Sequence, residues 1–175
     1  PPSTSNDFNW LITISNVAPN TEVLLRDGIY PFPDGDDLNY DRYKIRDAVT
    51  VRSLSGNRNG VVIVGKGYGP ISEGFLVAGK NVVIADLSIT NMRNHGIAIK
   101  GELGAEAAHI YNVNMYDIGT QMIKGAPDAV NGSSNNVIAC SKFGYTSLDK
   151  IQGDYIAAID LHRFHNTLIR DNLIY

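Results

Sequence analysis

The chain has 175 residues, a formal net charge of −3 at pH 7, and contents of 43% hydrophobic and 19% charged residues. This composition excludes a disordered polymer and argues against a general nucleic-acid-binding protein, which would normally be basic. The sequence has no apolar run of about 18 residues, so we expect no membrane span. A single cysteine excludes an internal disulfide framework. The 17 glycines, with frequent Asn, Val and Ile, indicate many short strands joined by turns.

The first predicted element is an N-terminal helix over residues 7–17, because Ser5, Asn6 and Asp7 form a capping signal at its start. After Pro19 the pattern changes to short Val/Ile runs separated by Gly, Asn and Asp. We expect one domain over residues 1–175, with an inserted loop over residues 33–44. The predicted strands are Glu22–Arg26, Ala48–Ser53, Val61–Val64, Phe75–Ala78, Val82–Ala85, Ile97–Lys100, Ala108–Tyr111, Met122–Lys124, Val137–Ala139, Ile159–His162 and Thr167–Arg170.

The inserted loop carries an acidic segment with oxygen-bearing side chains close to a glycine. Such oxygen ligands are what Ca²⁺ prefers, although the downstream Glu of an EF-hand loop is missing here. A solvated acidic insertion is the alternative interpretation. The candidate Ca²⁺ ligands are Asp34, Asp36, Asp37, Asn39 and Asp41.

A self-similar series runs through the second half of the chain. Each member is a short strand, a turn residue and a second short strand, and a second series of Ile-rich segments is interleaved with it. A repeat of about 20–30 residues with two or three strands predicts coils that stack on one another. The two series begin at Asn81, Ala107, Asn135 and Asn166, and at Gly74, Gly96, Gln121 and Ala158.

Strand alternation predicts which side chains of the first series point inward. The turn positions fall in one column, where Asn and Asp tolerate left-handed backbone and can bond to the neighbouring coil. The predicted turn residues are Asp86, Asn112, Cys140 and Asp171. The predicted inward residues are Val82, Ile84, Leu87, Ile89, Ala108, Ile110, Val113, Met115, Ile138, Phe143, Ile169 and Ile174.

The N-terminal residues after the helix, Val17–Tyr30, contain Pro19, a Val/Leu-rich strand and the sequence Asp27-Gly28-Ile29-Tyr30. With the following residues 49–67, this stretch resembles the pectate-lyase-like superfamily, although Asn20-Thr21 replaces the usual Gly-Asp pair. The resemblance covers essentially the whole chain. It implies an all-β fold, a right-handed parallel β-helix with an N-terminal capping α-helix. It also implies a secreted, periplasmic or cell-surface protein whose partner is a polysaccharide.

Ionisable residues that point outward concentrate in the second series. Aligning its members places Lys100, Lys124 and His162 in one column, with neighbours about 4.8 Å apart. Asp160 lies two residues before His162 and shares its face, and Arg163 follows at the turn. This group is the candidate catalytic site.

The resemblance is greatest to alginate-lyase and chondroitinase-type polysaccharide lyases, which place a Lys and an Arg on neighbouring coils. It implies β-elimination on a uronate-containing polymer, with Lys124 as the base and Arg163 as its partner. In this chemistry the carboxylate is neutralised, a base removes the adjacent proton and an acid protonates the leaving oxygen. The alternatives are solvated surface residues, and a non-catalytic β-helix module for carbohydrate binding, adhesion or surface structure.

The chain ends in Leu173-Ile174-Tyr175, a pattern typical of the middle of a coil. An open coil end exposes strand edges and core. We therefore expect that the native protein continues beyond this point, or that self-association covers the end.

Overall fold

The computed structural model describes residues 9–32, 44–69, 73–126, 132–153 and 155–175. Within these ranges it contains one α-helix and short β-strands throughout. The helix α1 spans Asn9–Asn16, and the strands are β1 (Glu22–Leu25), β2 (Gly28–Pro31), β3 (Lys44–Ile45), β4 (Thr50–Ser53), β5 (Val61–Val64), β6 (Phe75–Val77), β7 (Val83–Ala85), β8 (Ser88–Thr90), β9 (Ile97–Lys100), β10 (His109–Tyr111), β11 (Asn114–Tyr116), β12 (Gln121–Ala126), β13 (Ser133–Ser134), β14 (Val137–Ala139), β15 (Lys142–Gly144), β16 (Ala157–Leu161), β17 (Phe164–His165), β18 (Leu168–Arg170) and β19 (Leu173–Ile174).

The strands form three long parallel sheets. The first sheet has the order β1-β4-β7-β10-β14-β18, the second β2-β5-β8-β11-β15-β19, and the third β3-β6-β9-β12-β16. A short fourth sheet pairs β13 with β17. The chain visits the sheets in turn and returns to the first one coil further along. This is a parallel β-helix with an N-terminal helix, which confirms the predicted fold class.

The core consists of inward side chains stacked in columns between the sheets. In-register parallel pairing places each inward residue directly above its equivalent in the next coil. Ile84, Ile110 and Ile138 form such a column in the first sheet. The inward positions predicted for the coils before the last are confirmed, since the following side chains are all 0% exposed: Val82, Ile84, Leu87, Ile89, Ala108, Ile110, Val113, Met115, Ile138 and Phe143.

The last coil differs from the others in its exposure. Ile169 pairs with Ile138 and Ile174 with Phe143, so both occupy the predicted inward columns. They are nevertheless 48% and 62% exposed. Their strands, β18 and β19, are the outermost members of their sheets, so one side of each residue has no coil packed on it in the described part of the chain.

The predicted turn column lies at the bend between the first and second sheets. Asp86, Asn112, Cys140 and Asp171 all have left-handed backbone, with φ between 52° and 57°. The Asn112 Nδ2 donates to Asp86 Oδ1 of the preceding coil at 2.7 Å. Left-handed backbone costs most residues about 1–2 kcal/mol and Asn or Asp less, which explains why these residue types recur at the bend.

The helix α1 covers the first coil. Leu11 and Ile14 are buried, and the Trp10 ring contacts the rings of Tyr30 and Phe75 edge to face at centroid distances of 5.5 and 6.3 Å. The helix thus covers apolar surface that the first coil would otherwise expose to water. Of the loop predicted over residues 33–44, only the last residue is described. No helix in the described ranges is both long and apolar enough to cross a lipid bilayer.

Candidate functional site

The outward face of the third sheet carries the predicted ionisable residues, but in a different register. Lys124 pairs with Ala98 on one side and Asp160 on the other, while Lys100 pairs with Ala126. The predicted column of Lys100, Lys124 and His162 is therefore wrong, because Lys124 is displaced by two residues from the position that pairs with Lys100. The alternating apolar pattern of these strands is unchanged by a shift of two, so it fixes the face of each residue but not the register.

The corrected register brings Lys124 directly against Asp160. The Lys124 Nζ lies 2.5 Å from Asp160 Oδ2, and the two side chains are only 18% and 16% exposed. His162, the residue that follows the end of β16, places its Nε2 2.9 Å from Asp160 Oδ1. Three of the predicted site residues thus form one contact group. We call the group of Lys124, Tyr155, Asp160 and His162 the sheet-three cluster.

Tyr155 completes this cluster, although sequence reasoning did not select it. Its hydroxyl donates to Asp160 Oδ2 at 2.9 Å, and the Lys124 Nζ lies 5.5 Å from the centroid of its ring. The hydrogen bond and the negative charge of Asp160 raise the pKa of Tyr155, so the phenol stays protonated at neutral pH. Tyr155 precedes β16 in an irregular segment, where no strand periodicity indicates which way a side chain points.

Asp160 is held as a carboxylate by its neighbours. Burial raises its pKa, but hydrogen bonds from Lys124 and Tyr155 and the positive charges of Lys124 and His162 outweigh burial and leave it below the ordinary value. Asp160 accordingly acts as a fixed negative charge that orients three donors around it.

The contacts of His162 indicate which of its ring nitrogens carries the proton. Nε2 lies 2.9 Å from Asp160 Oδ1 and 3.3 Å from Lys124 Nζ. A carboxylate only accepts and an ammonium only donates, so a neutral imidazole uses Nε2 toward one of them. The shorter contact favours donation to Asp160, which leaves Nδ1 as a proton acceptor. The side chain is 51% exposed, so a ligand can reach the ring.

A second histidine lies on the same side of the third sheet. The His95 Nδ1 is 3.1 Å from Thr120 Oγ1, and its Nε2 is 3.9 Å from Glu73 Oε1. Burial, followed by the positive charges of Lys100 and Lys124, lowers the pKa of His95 to about 4. A hydrogen bond to the Gln121 backbone and the negative charge of Asp160 act in the opposite direction but are weaker. His95 is therefore neutral at pH 7. The sequence marks it only as a turn residue, because His95 lies between strands.

The two remaining predicted catalytic residues lie at the margin of the cluster. Lys100 contacts Glu102, with Nζ 3.6 Å from Oε1, and its charge acts on His95. Arg163 has left-handed backbone, with φ 55°, at the turn between β16 and β17, and its carbonyl lies against Gly132. Lys124 is thus paired with Asp160, whereas the sequence-based hypothesis paired it with Arg163.

The predicted Ca²⁺ ligands Asp34, Asp36, Asp37, Asn39 and Asp41 lie outside the described residues. Within the residues that are described, no group of three or more His, Cys, Asp or Glu side chains is arranged to hold a metal ion. The sheet-three cluster offers four chemical groups: an ammonium, a carboxylate, an imidazole and a phenol.

Comparison with known proteins identifies no relative: no protein-family model, curated protein or solved structure matches this chain.

Proposed function

We propose that the protein is an extracellular carbohydrate-active β-helix protein whose sheet-three cluster cleaves a uronate-containing polysaccharide by β-elimination. The observation that carries the proposal is the pairing of one carboxylate, Asp160, with both Lys124 and His162. It places an ammonium and an imidazole side by side on an outward sheet face. The resemblance of the N-terminal coils to pectate-lyase-like proteins supports the same assignment, and with it a secreted, periplasmic or cell-surface location.

Each member of the cluster fits one requirement of this reaction. The Lys124 ammonium, with Lys100 nearby, neutralises the uronate carboxylate and so acidifies the adjacent C–H bond. The Nδ1 of His162 removes that proton while Asp160 stabilises the imidazolium that forms. The electron pair forms the new C=C bond, the glycosidic C–O bond breaks, and the leaving oxygen takes the proton of Tyr155, which solvent restores.

Lys124 has a different role here from the one expected from the sequence. A lysine acts as a base when neighbouring cations or burial favour its neutral form. Asp160 instead places a negative charge 2.5 Å from the Lys124 Nζ and stabilises the ammonium. The imidazole of His162, which needs no such activation, is the better proton acceptor in this arrangement.

A second candidate function is a non-catalytic module that binds carbohydrate or serves in adhesion or surface structure. The observation in its favour is that Asp160 already accepts hydrogen bonds from Lys124 and Tyr155 and contacts His162. A polar network whose members satisfy one another forms a rigid surface without any need for turnover.

The test is incubation with alginate, pectate and chondroitin, followed by the ultraviolet absorbance of the unsaturated product. We expect turnover of at least one polymer, and a loss of about 100-fold or more in His162→Gln, the usual effect of removing a general base. Lys124→Met should lose activity as well. Lys142→Gln, which changes an exposed lysine on the second sheet, should behave like wild type.

Polymer binding by affinity electrophoresis separates the two candidate functions. Retained binding without any new absorbance supports the non-catalytic module. If folded protein shows neither binding nor new absorbance, both the lyase and the carbohydrate-binding module are contradicted.

A further inference from the structure

The outward face of the second sheet contains a cavity of about 360 Å³ that is separate from the sheet-three cluster. This volume lies within the range of small-molecule sites, about 300–1,000 Å³. We call it the sheet-two pocket, and its lining includes Val62, Ser88, Asn114, Tyr116, Thr146 and Tyr175.

Strand register builds the floor of the pocket. Val62 pairs with Ser88, and Ser88 pairs with Asn114, so three consecutive coils contribute adjacent residues to one column. Tyr116, two residues after Asn114, points to the same face. Because β-pairing fixes these positions, the floor is preformed.

Two aromatic rings flank this floor. Tyr116 pairs with Gly144, and a Cβ on Gly144 would lie 2.7 Å from ring atoms of Tyr175. The Tyr175 ring therefore lies directly over the glycine, next to Tyr116. Tyrosine rings in such positions offer flat apolar faces, against which the C–H face of a ligand can pack.

The segment before β5 is anchored beside the floor. Ser88 Oγ donates to the Arg58 carbonyl at 2.8 Å, and Arg58 Nη1 donates to the Cys140 carbonyl at 3.1 Å. These two bonds tie the segment to two other coils. The neighbouring residue, Asn59, also lines the pocket.

The lining offers a ligand both acceptors and donors, since the Ser88 and Thr146 oxygens can accept while the asparagine amides and tyrosine hydroxyls can also donate. The Ser88 hydroxyl proton is used on Arg58, and the Thr146 hydroxyl proton is used on Asp117 Oδ2 at 2.8 Å. The Asn114 Oδ1 is buried and accepts no hydrogen bond from the described residues. A buried amide oxygen without a donor costs about 1–3 kcal/mol, so a ligand hydroxyl that draws the Asn114 side chain toward the pocket would be favoured.

We propose that the sheet-two pocket binds a neutral sugar unit. Sugar hydroxyls both donate and accept hydrogen bonds, which suits this lining of hydroxyls and amides, and the tyrosine rings suit the C–H face of a pyranose. The described lining residues carry no charged side chain, which disfavours a uronate or an amine. The site is thus independent of the acidic-polymer chemistry proposed for the third sheet.

The test is binding of the methyl glycosides of glucose, galactose and mannose, measured by saturation-transfer NMR and titration calorimetry, with galacturonate as the charged comparison. We expect at least one neutral glycoside to bind about tenfold or more tightly than galacturonate. Asn114→Ala and Tyr116→Ala should each weaken it by about tenfold, the scale of one lost hydrogen bond or aromatic contact. Tyr111→Ala, which removes an exposed tyrosine from the first sheet, is the control and should bind like wild type.

A measurement on the unmodified chain protects the test against variants that fail to fold. In a ¹H–¹⁵N spectrum of wild type, the neutral glycoside should shift the Asn114 side-chain amide. Three outcomes overturn the proposal: no neutral glycoside binds to folded wild type, galacturonate binds equally well, or binding occurs without a change at Asn114. The activity of the sheet-three cluster does not affect any of these readouts.

Discussion

At the scale of single residues, His95 makes the free energy of unfolding depend on pH. Burial has the largest effect on the pKa of its ring. The charged groups that act on the ring are Glu73, Lys100, Lys124 and Asp160. With its pKa lowered from 6.5 to about 4, native His95 stays neutral over a range in which the unfolded chain binds a proton. The free energy of unfolding therefore decreases as the pH falls from about 6.5 to about 4. Above this window, His95 does not make stability depend on pH.

Removing the ring isolates this contribution. His95→Gln should reduce the pH dependence of stability between about pH 4.5 and 6.5, with a total difference on the order of 3 kcal/mol across the full window. Denaturant melts of wild type and variant at several pH values measure it. His109→Gln, which changes an exposed histidine on the first sheet, is the control for the effect of a His-to-Gln substitution. An unchanged slope in His95→Gln would contradict the lowered pKa of His95.

At the scale of elements, glycines mark the positions where one coil's backbone leaves no room for a side chain. A Cβ on Gly74 would lie 2.0 Å from the Gly96 carbonyl oxygen, and one on Gly119 would lie 2.1 Å from the Arg93 carbonyl oxygen. Gly69, by contrast, has nothing within 4 Å of the position of a Cβ. The first two glycines are thus required by the stacking of the coils, whereas Gly69 is not.

A pair of alanine substitutions tests this distinction. Gly74→Ala should destabilise the protein by about 2 kcal/mol or more, because backbone of the adjacent coil must move. Gly69→Ala should stay within about 0.5 kcal/mol of wild type, as expected for an exposed position. Thermal melts of both variants provide the measurement. Equal stability of the two variants would contradict the close contact between β6 and β9.

Secondary elements were the part of the fold that the sequence predicted best. The strands over Val61–Val64, Ile97–Lys100 and Val137–Ala139 have the predicted bounds, because β-branched runs between turn residues specify them locally. Pairing register was harder to predict. Lys124 was placed on the correct face but beside the wrong neighbours, because a shift by two residues preserves alternation and only the packing of whole coils selects among such registers.

The site was predicted only where it lies on strands. Lys124, Asp160 and His162 follow strand periodicity, and the structure brings them together. Tyr155 and His95 lie in connecting segments, where a side chain's direction depends on the tertiary path of the loop. Outward direction was predictable from the sequence, but the partners of each side chain were not.

At the scale of the whole molecule, the β-helix is a one-dimensional stack in which strand pairing joins each coil only to its neighbours. Central coils are covered on both sides, while the last coil leaves Ile169 and Ile174 about half or more exposed. In such repeat folds, coils with less packing on them open at lower free-energy cost than coils covered on both sides.

Hydrogen exchange should follow this gradient. The His109 amide, bonded to Val82 at 2.8 Å in a central coil, should exchange about 100-fold or more slowly than the Leu173 amide, bonded to Ser141 at 2.9 Å in the last coil. Residue-resolved exchange by NMR measures both. Equal protection at the two amides would indicate that the chain opens only as a single cooperative unit.

The left-handed bends also divide each coil into a constant part and a variable part. Two left-handed bends enclose the first-sheet strand of each coil, and they are always five residues apart: Asn81 and Asp86, Ala107 and Asn112, Asn135 and Cys140, and Asn166 and Asp171. From one coil to the next, by contrast, equivalent bends are separated by 26, 28 and 31 residues. Differences in coil length therefore arise outside the five-residue segments, on the side of the molecule that includes the third sheet and the sheet-three cluster. Insertions there can reshape the surface around the sheet-three cluster while the first two sheets keep their spacing. The scaffold is consequently suited to diversification of specificity by loop exchange, with each coil acting as an interchangeable module.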